Sequence, residues 1–172
     1  FPDENIFVPD GFSGHRSVEI TNCRCVGMSS MGNEGKLLHV ICGDLLVERF
    51  YMADTKKFLG LMNYARTTKN ALSSLTFRDC LFENAQSTHG LTLNATKKAD
   101  VLLQNCRFLH FVPEDDSVIT ATLAEGSTFR LENCQFAGNN YTPAIVLDGD
   151  LSGLTVKDCK TEGFTTLWEE KK

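Results

Sequence analysis

A four-point apolar pattern with a single misstep constrains this chain more than any other feature. In the stretch LTFRDCLF the apolar residues are Leu75, Phe77, Cys80 and Phe82, so the alternation steps by two, then three, then two. Successive side chains of a strand point to opposite faces. The extra step between Phe77 and Cys80 breaks that alternation once, and the chain must turn a corner there. Arg78 and Asp79 stand at the break, and Asp tolerates the left-handed backbone conformation that a sharp corner requires. The unit is therefore strand, one-residue corner, strand.

The same unit recurs through the chain. With Cys80 as anchor, equivalent anchors are Cys23, Phe50, Cys106, Cys134 and Cys159, spaced 25–30 residues apart. The rows read Val18, Ile20, Cys23, Cys25; Leu45, Val47, Phe50, Met52; Leu75, Phe77, Cys80, Phe82; Val101, Leu103, Cys106, Phe108; Phe129, Leu131, Cys134, Phe136; and Leu154, Val156, Cys159, Thr161. Every position but Thr161 is apolar, where a chain with 42% apolar residues would fill fewer than half by chance. The residue before the anchor is always polar: Asn22, Arg49, Asp79, Asn105, Asn133 and Asp158. A second apolar run follows each anchor, at Leu37–Ile41, Phe58–Met62, Leu91–Leu93, Val118–Leu123, Ala144–Leu147 and Thr165–Trp168. Three short strands and their turns fill about 27 residues, and each strand can pair in parallel with its copy in the next coil. One coil cannot bury its inner face alone, whereas a stack buries a continuous column.

The consensus apolar-x-apolar-x-Asn-Cys-x-Phe resembles the repeat of the pectin-lyase-like superfamily, over about Val18 to Trp168. That superfamily includes polysaccharide lyases, polygalacturonases, phage tailspikes and many surface proteins. The resemblance implies an all-β fold, a single-stranded right-handed parallel β-helix of about six coils. The right-handed crossover rule for parallel strands gives the same hand. It also implies that the Asn before the anchor sits in a corner and stacks with its copies as a hydrogen-bonded ladder. Asn22, Asn105 and Asn133 match, while Arg49 departs, so the ladder is expected to break in the second coil. Residues 1–17 have no sustained period and read as an irregular N-terminal segment or cap, with 18–172 as the β-helix domain. Tyr51 to Arg66 has a spacing compatible with a short helix, but the repeat overrides it; Tyr64 to Ser74 reads as a polar bulge.

Seven cysteines would ordinarily suggest disulfides or zinc. Here five of them occupy one row. Copies about 4.8 Å apart sit slightly beyond disulfide reach, and a linear stack does not converge tetrahedrally on zinc. They read as an inward file of small apolar side chains, and Cys42 as core. The net charge of −5, with both signs interspersed, argues against nucleic acid. No stretch has the apolar length of a membrane span. The chain opens on Phe1 without initiator Met or signal segment, which reads as a mature form or an excised piece.

Loops on a rigid scaffold are the usual seat of function, and the candidate binding residues lie in the segments after anchors three to five. Glu114, Asp115 and Asp116 offer paired carboxylates for glycosidic cleavage or oxygen ligands for calcium, and no other cofactor is indicated. His89, in Thr88-His89-Gly90, faintly resembles the Gly-His-Gly element of polygalacturonases, whose Asn-Thr-Asp and Arg-Ile-Lys elements are missing. Pectate lyases use a calcium cluster and an Arg base, and Asp148 with Asp150 could begin such a cluster. Turn formation accounts for Asp148-Gly149 and Gly153 as well. Tyr141 lies in the same set of loops, and Asn94-Ala95-Thr96 and Asn140-Tyr141-Thr142 fit the glycosylation pattern. Arg24, Arg107 and Lys160 follow their anchors and Arg78 and Lys157 precede them, forming basic stripes interrupted by Tyr51, Leu81 and Gln135; these suit an acidic polysaccharide or a plain solvated face.

With no complete catalytic set, the sequence reads as a non-catalytic extracellular or cell-surface β-helix module that binds carbohydrate or serves as a scaffold. The alternatives are a polysaccharide lyase or hydrolase with its site in those loops, and a segment of a phage-spike-like oligomer or larger chain that caps the open ends.

Overall fold

The computed structural model describes residues 17–28, 36–41, 44–55, 58–65, 73–84, 87–95, 98–110, 117–138 and 141–171. Six layers of three strands follow one another. They are β1 (Ser17–Thr21), β2 (Arg24–Val26) and β3 (Lys36–Ile41); β4 (Asp44–Glu48), β5 (Tyr51–Ala53) and β6 (Phe58–Ala65); β7 (Ser73–Arg78), β8 (Leu81–Glu83) and β9 (Ser87–Ala95); β10 (Ala99–Gln104), β11 (Arg107–Leu109) and β12 (Ile119–Leu123); β13 (Thr128–Glu132), β14 (Gln135–Ala137) and β15 (Ile145–Gly149); and β16 (Leu154–Lys157), β17 (Lys160–Glu162) and β18 (Trp168–Glu170). No helix occurs among the described residues. Every third strand pairs in parallel, giving three six-stranded sheets, β1-β4-β7-β10-β13-β16, β2-β5-β8-β11-β14-β17 and β3-β6-β9-β12-β15-β18. The fold is a parallel β-solenoid. The N-terminal segment 1–16, most of the 64–74 bulge and Cys42 lie outside the described residues.

The register is the one the repeat dictates. Val18, Leu45, Leu75, Val101, Phe129 and Leu154 align in the first sheet, as do Ile20, Val47, Phe77, Leu103, Leu131 and Val156. In the second sheet the file is Cys25, Met52, Phe82, Phe108, Phe136 and Thr161. The rings of Phe82, Phe108 and Phe136 stack at 4.9 Å, within 5° of parallel, and all three are fully buried. That distance is the layer spacing itself, because a residue in register repeats every 4.7–4.9 Å along the hydrogen-bonding direction. Strands β5 and β6 replace the helical reading of Tyr51 to Arg66. The last apolar run is displaced, for Thr165–Leu167 precede strand β18, which begins at Trp168.

The corner residue is left-handed in every layer: Asn22, Arg49, Asp79, Asn105, Asn133 and Asp158 all have φ between 50° and 56°. Asn105 Nδ2 donates to Asp79 Oδ1 and Asn133 Nδ2 to Asn105 Oδ1, both at 2.9 Å. Arg49 does not interrupt the ladder toward the first layer as expected. Its guanidinium is long enough to reach down, and Nε donates to Asn22 Oδ1 at 2.6 Å. No side-chain hydrogen bond is found between Arg49 and Asp79, where Arg49 instead pairs with Glu48 at 2.5 Å.

A second corner, unread in the sequence, falls four residues after each anchor. Gly27, Asp54, Asn84, His110 and Gly163 there have positive φ, and Asn84 Nδ2 donates to Asp54 Oδ1. Gly138 holds the same position in the fifth layer, its N–H bonded to the Glu162 carbonyl at 3.0 Å. The residue types were the signal, since Gly, Asn and Asp are those that accept the left-handed region at least cost.

The anchor file is buried at Phe50, Cys80, Cys106 and Cys134, while Cys23 at one end is exposed and Cys159 at the other half-buried. All six described cysteines are free thiols. The three buried ones do more than fill space. Cys80 Sγ donates to the Val47 carbonyl, Cys106 to Phe77 and Cys134 to Leu103, each at 3.4 Å and each to the residue three before the anchor of the layer beneath. A small apolar side chain with one weak donor fits that place. Contact with the Cys134 and Cys80 thiols, and burial, hold Cys106 protonated, well above the usual thiol range. Burial raises the Cys159 thiol as well, and burial with the neighbouring Cys23 raises Cys25. Reaction needs a thiolate that the reagent can reach, and Cys80, Cys106 and Cys134 are buried, so iodoacetamide applied to the folded protein is expected to label Cys23 first, Cys25 and Cys159 slowly, and those three only after unfolding. Peptide mass spectrometry of timed samples reads this order, and labelling of Cys106 at the rate of Cys23 would contradict the packing.

Candidate functional site

The corner between the first and second sheets presents three outward columns, and most of their charge is spent internally. Two residues before the anchor stand Glu48, Arg78, Gln104, Glu132 and Lys157, in register. Arg78 lies 3.5 Å from Glu48 and donates through Nε to Gln104 Oε1 at 3.1 Å, and Gln104 Nε2 donates to Glu132 Oε2 at 2.8 Å. One residue after the anchor stand Arg24, Tyr51, Leu81, Arg107, Gln135 and Lys160. The Arg24 guanidinium sits 5.2 Å from the centre of the Tyr51 ring, a cation–π arrangement, and the Tyr51 hydroxyl donates to Glu83 at 3.3 Å. The basic stripes of the sequence are thereby reduced, because Arg24 and Arg78 are occupied within the fold.

What remains is a shallow open cleft of about 260 Å³, lined by Asn105, Arg107, Asn133, Cys134, Gln135, Asp158 and Lys160. Three successive layers build it. Left-handed corners supply Asn105, Asn133 and Asp158, and the strands that leave those corners supply Arg107, Gln135 and Lys160. The exposed Arg107 and Lys160 form no ion pair among the described residues. They stand two layers apart, about 9.6 Å along the column at the ordinary strand spacing. The cleft thus offers two cations and three amide side chains beside one carboxylate. Among the described residues Asp158 is the single carboxylate lining it. Cations and amides so placed can make charge-assisted and neutral hydrogen bonds to oxygen-rich groups.

The described residues among those picked from the loops do not gather here. His89 lies within strand β9 and not in a loop, with Gly60 as its neighbour in register. The strand extends that far because it pairs with β6 back to Phe58, and Gly90 admits the close backbone of the next layer: a Cβ there would come within 2.1 Å of the Val118 carbonyl oxygen. Glu114, Asp115 and Asp116 lie outside the described residues. Tyr141 is 94% exposed in the connection between β14 and β15. Asp148 sits in β15 of the third sheet, in register with Thr122, on a different face from the cleft. Its neighbour Asp150 has a turn role: the carboxylate accepts the N–H of Gly126 at 2.8 Å and of Ser152 at 2.9 Å, and those bonds lower its pKa. No group of three metal-ligating side chains occurs among the described residues, and no helix is long and apolar enough to cross a membrane.

The cleft residues were each visible in the sequence as corner, anchor or stripe positions. Their juxtaposition was not, because it joins segments some 25–28 residues apart. No protein-family model matches the chain, and neither a curated protein nor a solved structure matches it.

Proposed function

We propose that this protein is a non-catalytic β-solenoid module of the pectin-lyase-like kind, working outside the cell or at its surface. It binds a carboxylated polysaccharide along the corner between its first two sheets. The observation that carries this reading is the cleft in which Arg107 and Lys160 are unpaired among the described residues beside Asn105, Asn133 and Gln135. Amide side chains both donate to and accept from sugar hydroxyls. Arginine and lysine take up carboxylates by charge-assisted hydrogen bonds, and a site open along its length suits a polymer better than a small molecule. The fold accommodates binding and catalytic members alike, so the site and not the scaffold decides.

A glycan array probed with and without calcium, followed by assays for unsaturated and reducing ends, tests the proposal. Binding to acidic glycans without chain cleavage is the expected result. Arg107→Ala with Lys160→Ala is expected to weaken binding by about tenfold or more, and binding is expected to fall as salt rises. Cleavage that disappears on Asp115→Ala or His89→Ala would overturn the reading in favour of a lyase or hydrolase.

A further inference from the structure

Three consecutive inner layers place a buried thiol at the same point of the column. Cys80, Cys106 and Cys134 are each 2% exposed or less, and all three take one posture. Each Sγ lies 3.3–3.4 Å from the carbonyl two residues before it in its own layer, and 3.4 Å from a carbonyl of the layer beneath. Backbone bonds of 2.9 Å, from Arg107 N–H to the Cys80 carbonyl and from Gln135 N–H to the Cys106 carbonyl, hold these layers in step. A side chain repeated in one posture recurs at the layer spacing of about 4.7–4.9 Å, as the phenylalanine rings beside it do at 4.9 Å. The thiol file gives way to Phe50 in the second layer. Cys159, in the sixth, bonds to the Lys157 carbonyl of its own layer and so does not share the posture.

A first-row d10 ion keeps thiolate sulfur about 2.3 Å away, so one held midway between two sulfurs joins groups about 4.6 Å apart. That span matches the layer spacing. No three metal-ligating side chains converge among the described residues, and a straight file offers an ion between two layers one sulfur above and one below. Monovalent copper accepts such a linear pair and prefers sulfur. Charge decides how many protons leave. Two thiolates around one monovalent ion would bury a net negative charge, whereas one thiolate and one thiol make a neutral site. Cys134 is the thiol suited to lose its proton, because the Cys106 thiol donates toward it and lowers its pKa while Cys106 itself stays protonated. Cys134 also lines the open cleft, the side from which an ion can reach the file and a proton can leave it.

We propose that Cys106 and Cys134 form a two-coordinate site for a soft monovalent cation of the Cu(I) class, held between the fourth and fifth layers. On binding, the Cys134 S–H bond breaks, its proton passes to water and a metal–thiolate bond forms, while Cys106 adds a sulfur lone pair and keeps its proton. The proposal does not depend on the carbohydrate reading. It is tested on the full chain with Cys23, Cys25, Cys42 and Cys159 changed to Ser, which leaves only the three thiols of the file. Cu(I) is titrated without oxygen against a competing chelator. One ion per chain is expected, with X-ray absorption showing two sulfur neighbours and no nitrogen or oxygen, and a melting midpoint that climbs with ion concentration. Cys134→Ser and Cys106→Ser are each expected to lower the affinity by about a hundredfold or more, and Cys80→Ser to change it little. Binding that survives Cys134→Ser overturns the proposal. So does a midpoint that does not move, a spectrum with nitrogen or oxygen neighbours, or a Cys80→Ser variant as weak as Cys134→Ser. Should the chain with four replacements fail to melt cooperatively, the parent and its Cys134→Ser variant are compared at one equivalent of Cu(I) under the same competition. A rise in the parent's midpoint that the variant lacks is then expected, and an equal rise in both, or none in either, overturns the proposal.

Discussion

Phe108→Ala is expected to destabilise the fold by about 3–5 kcal/mol, measured as a shift in the urea midpoint at unchanged slope. The ring lies between Phe82 and Phe136 at 4.9 Å on either side and has no exposed surface. Its removal opens a cavity in the middle of the column. Neighbouring layers cannot close it, because their separation is set by backbone hydrogen bonds such as Arg107 N–H to the Cys80 carbonyl and Gln135 N–H to the Cys106 carbonyl, both 2.9 Å. Phe108→Leu keeps most of the volume and is expected to cost less than about 1.5 kcal/mol. Equal costs for the two variants would mean that the gap does collapse and that the stack is not a rigid file.

Asn105→Val is expected to cost about 2–5 kcal/mol, from two separable sources. A β-branched residue in the left-handed region at φ 55 is disfavoured by about 1–2 kcal/mol. The variant also loses the bond that Asn105 donates to Asp79 and the one it accepts from Asn133, each worth about 0.5–1.5 kcal/mol. Asn105→Gly relieves the backbone and forfeits only the ladder, so it is expected to cost less by the first amount. Urea unfolding of the pair separates the terms. Should Gly prove as costly as Val, the ladder and not the corner sets the requirement at this position. Because Asn105 lines the cleft, both variants are also expected to weaken glycan binding, and the Gly variant does so with the corner intact.

These expectations show which parts of the molecule can be read from its sequence. The first corner and its flanking strands were legible because their signal is local: two apolar residues, a polar left-handed residue and an anchor fall within eight positions. The third sheet was legible only in outline, since connections of variable length precede it. Its strand β9 reaches back to Ser87, which took His89 out of the loop assigned to it. The second corner was present as Gly27, Asp54, Asn84, His110, Gly138 and Gly163 but was hidden by its variety, as glycine, amide, acid and imidazole share a backbone tolerance and little else. Arg49 looked like a defect because its side chain was judged by type and not by reach. The cleft escaped for a different reason. A column of outward residues has no local signature, and whether Arg78 or Arg107 is the free cation depends on what stands one layer above and below it.

The pairing of each strand with only the strands directly above and below it also governs how the molecule yields to force. Among the described residues the substantial contacts between elements join adjacent layers within one sheet, so there the first layer is tied to the third through the layer between them. Tension applied at one terminus therefore peels the chain a layer at a time, like winding thread off a spool. The resistance met at each step is that of a single seam, whatever the total length of the column.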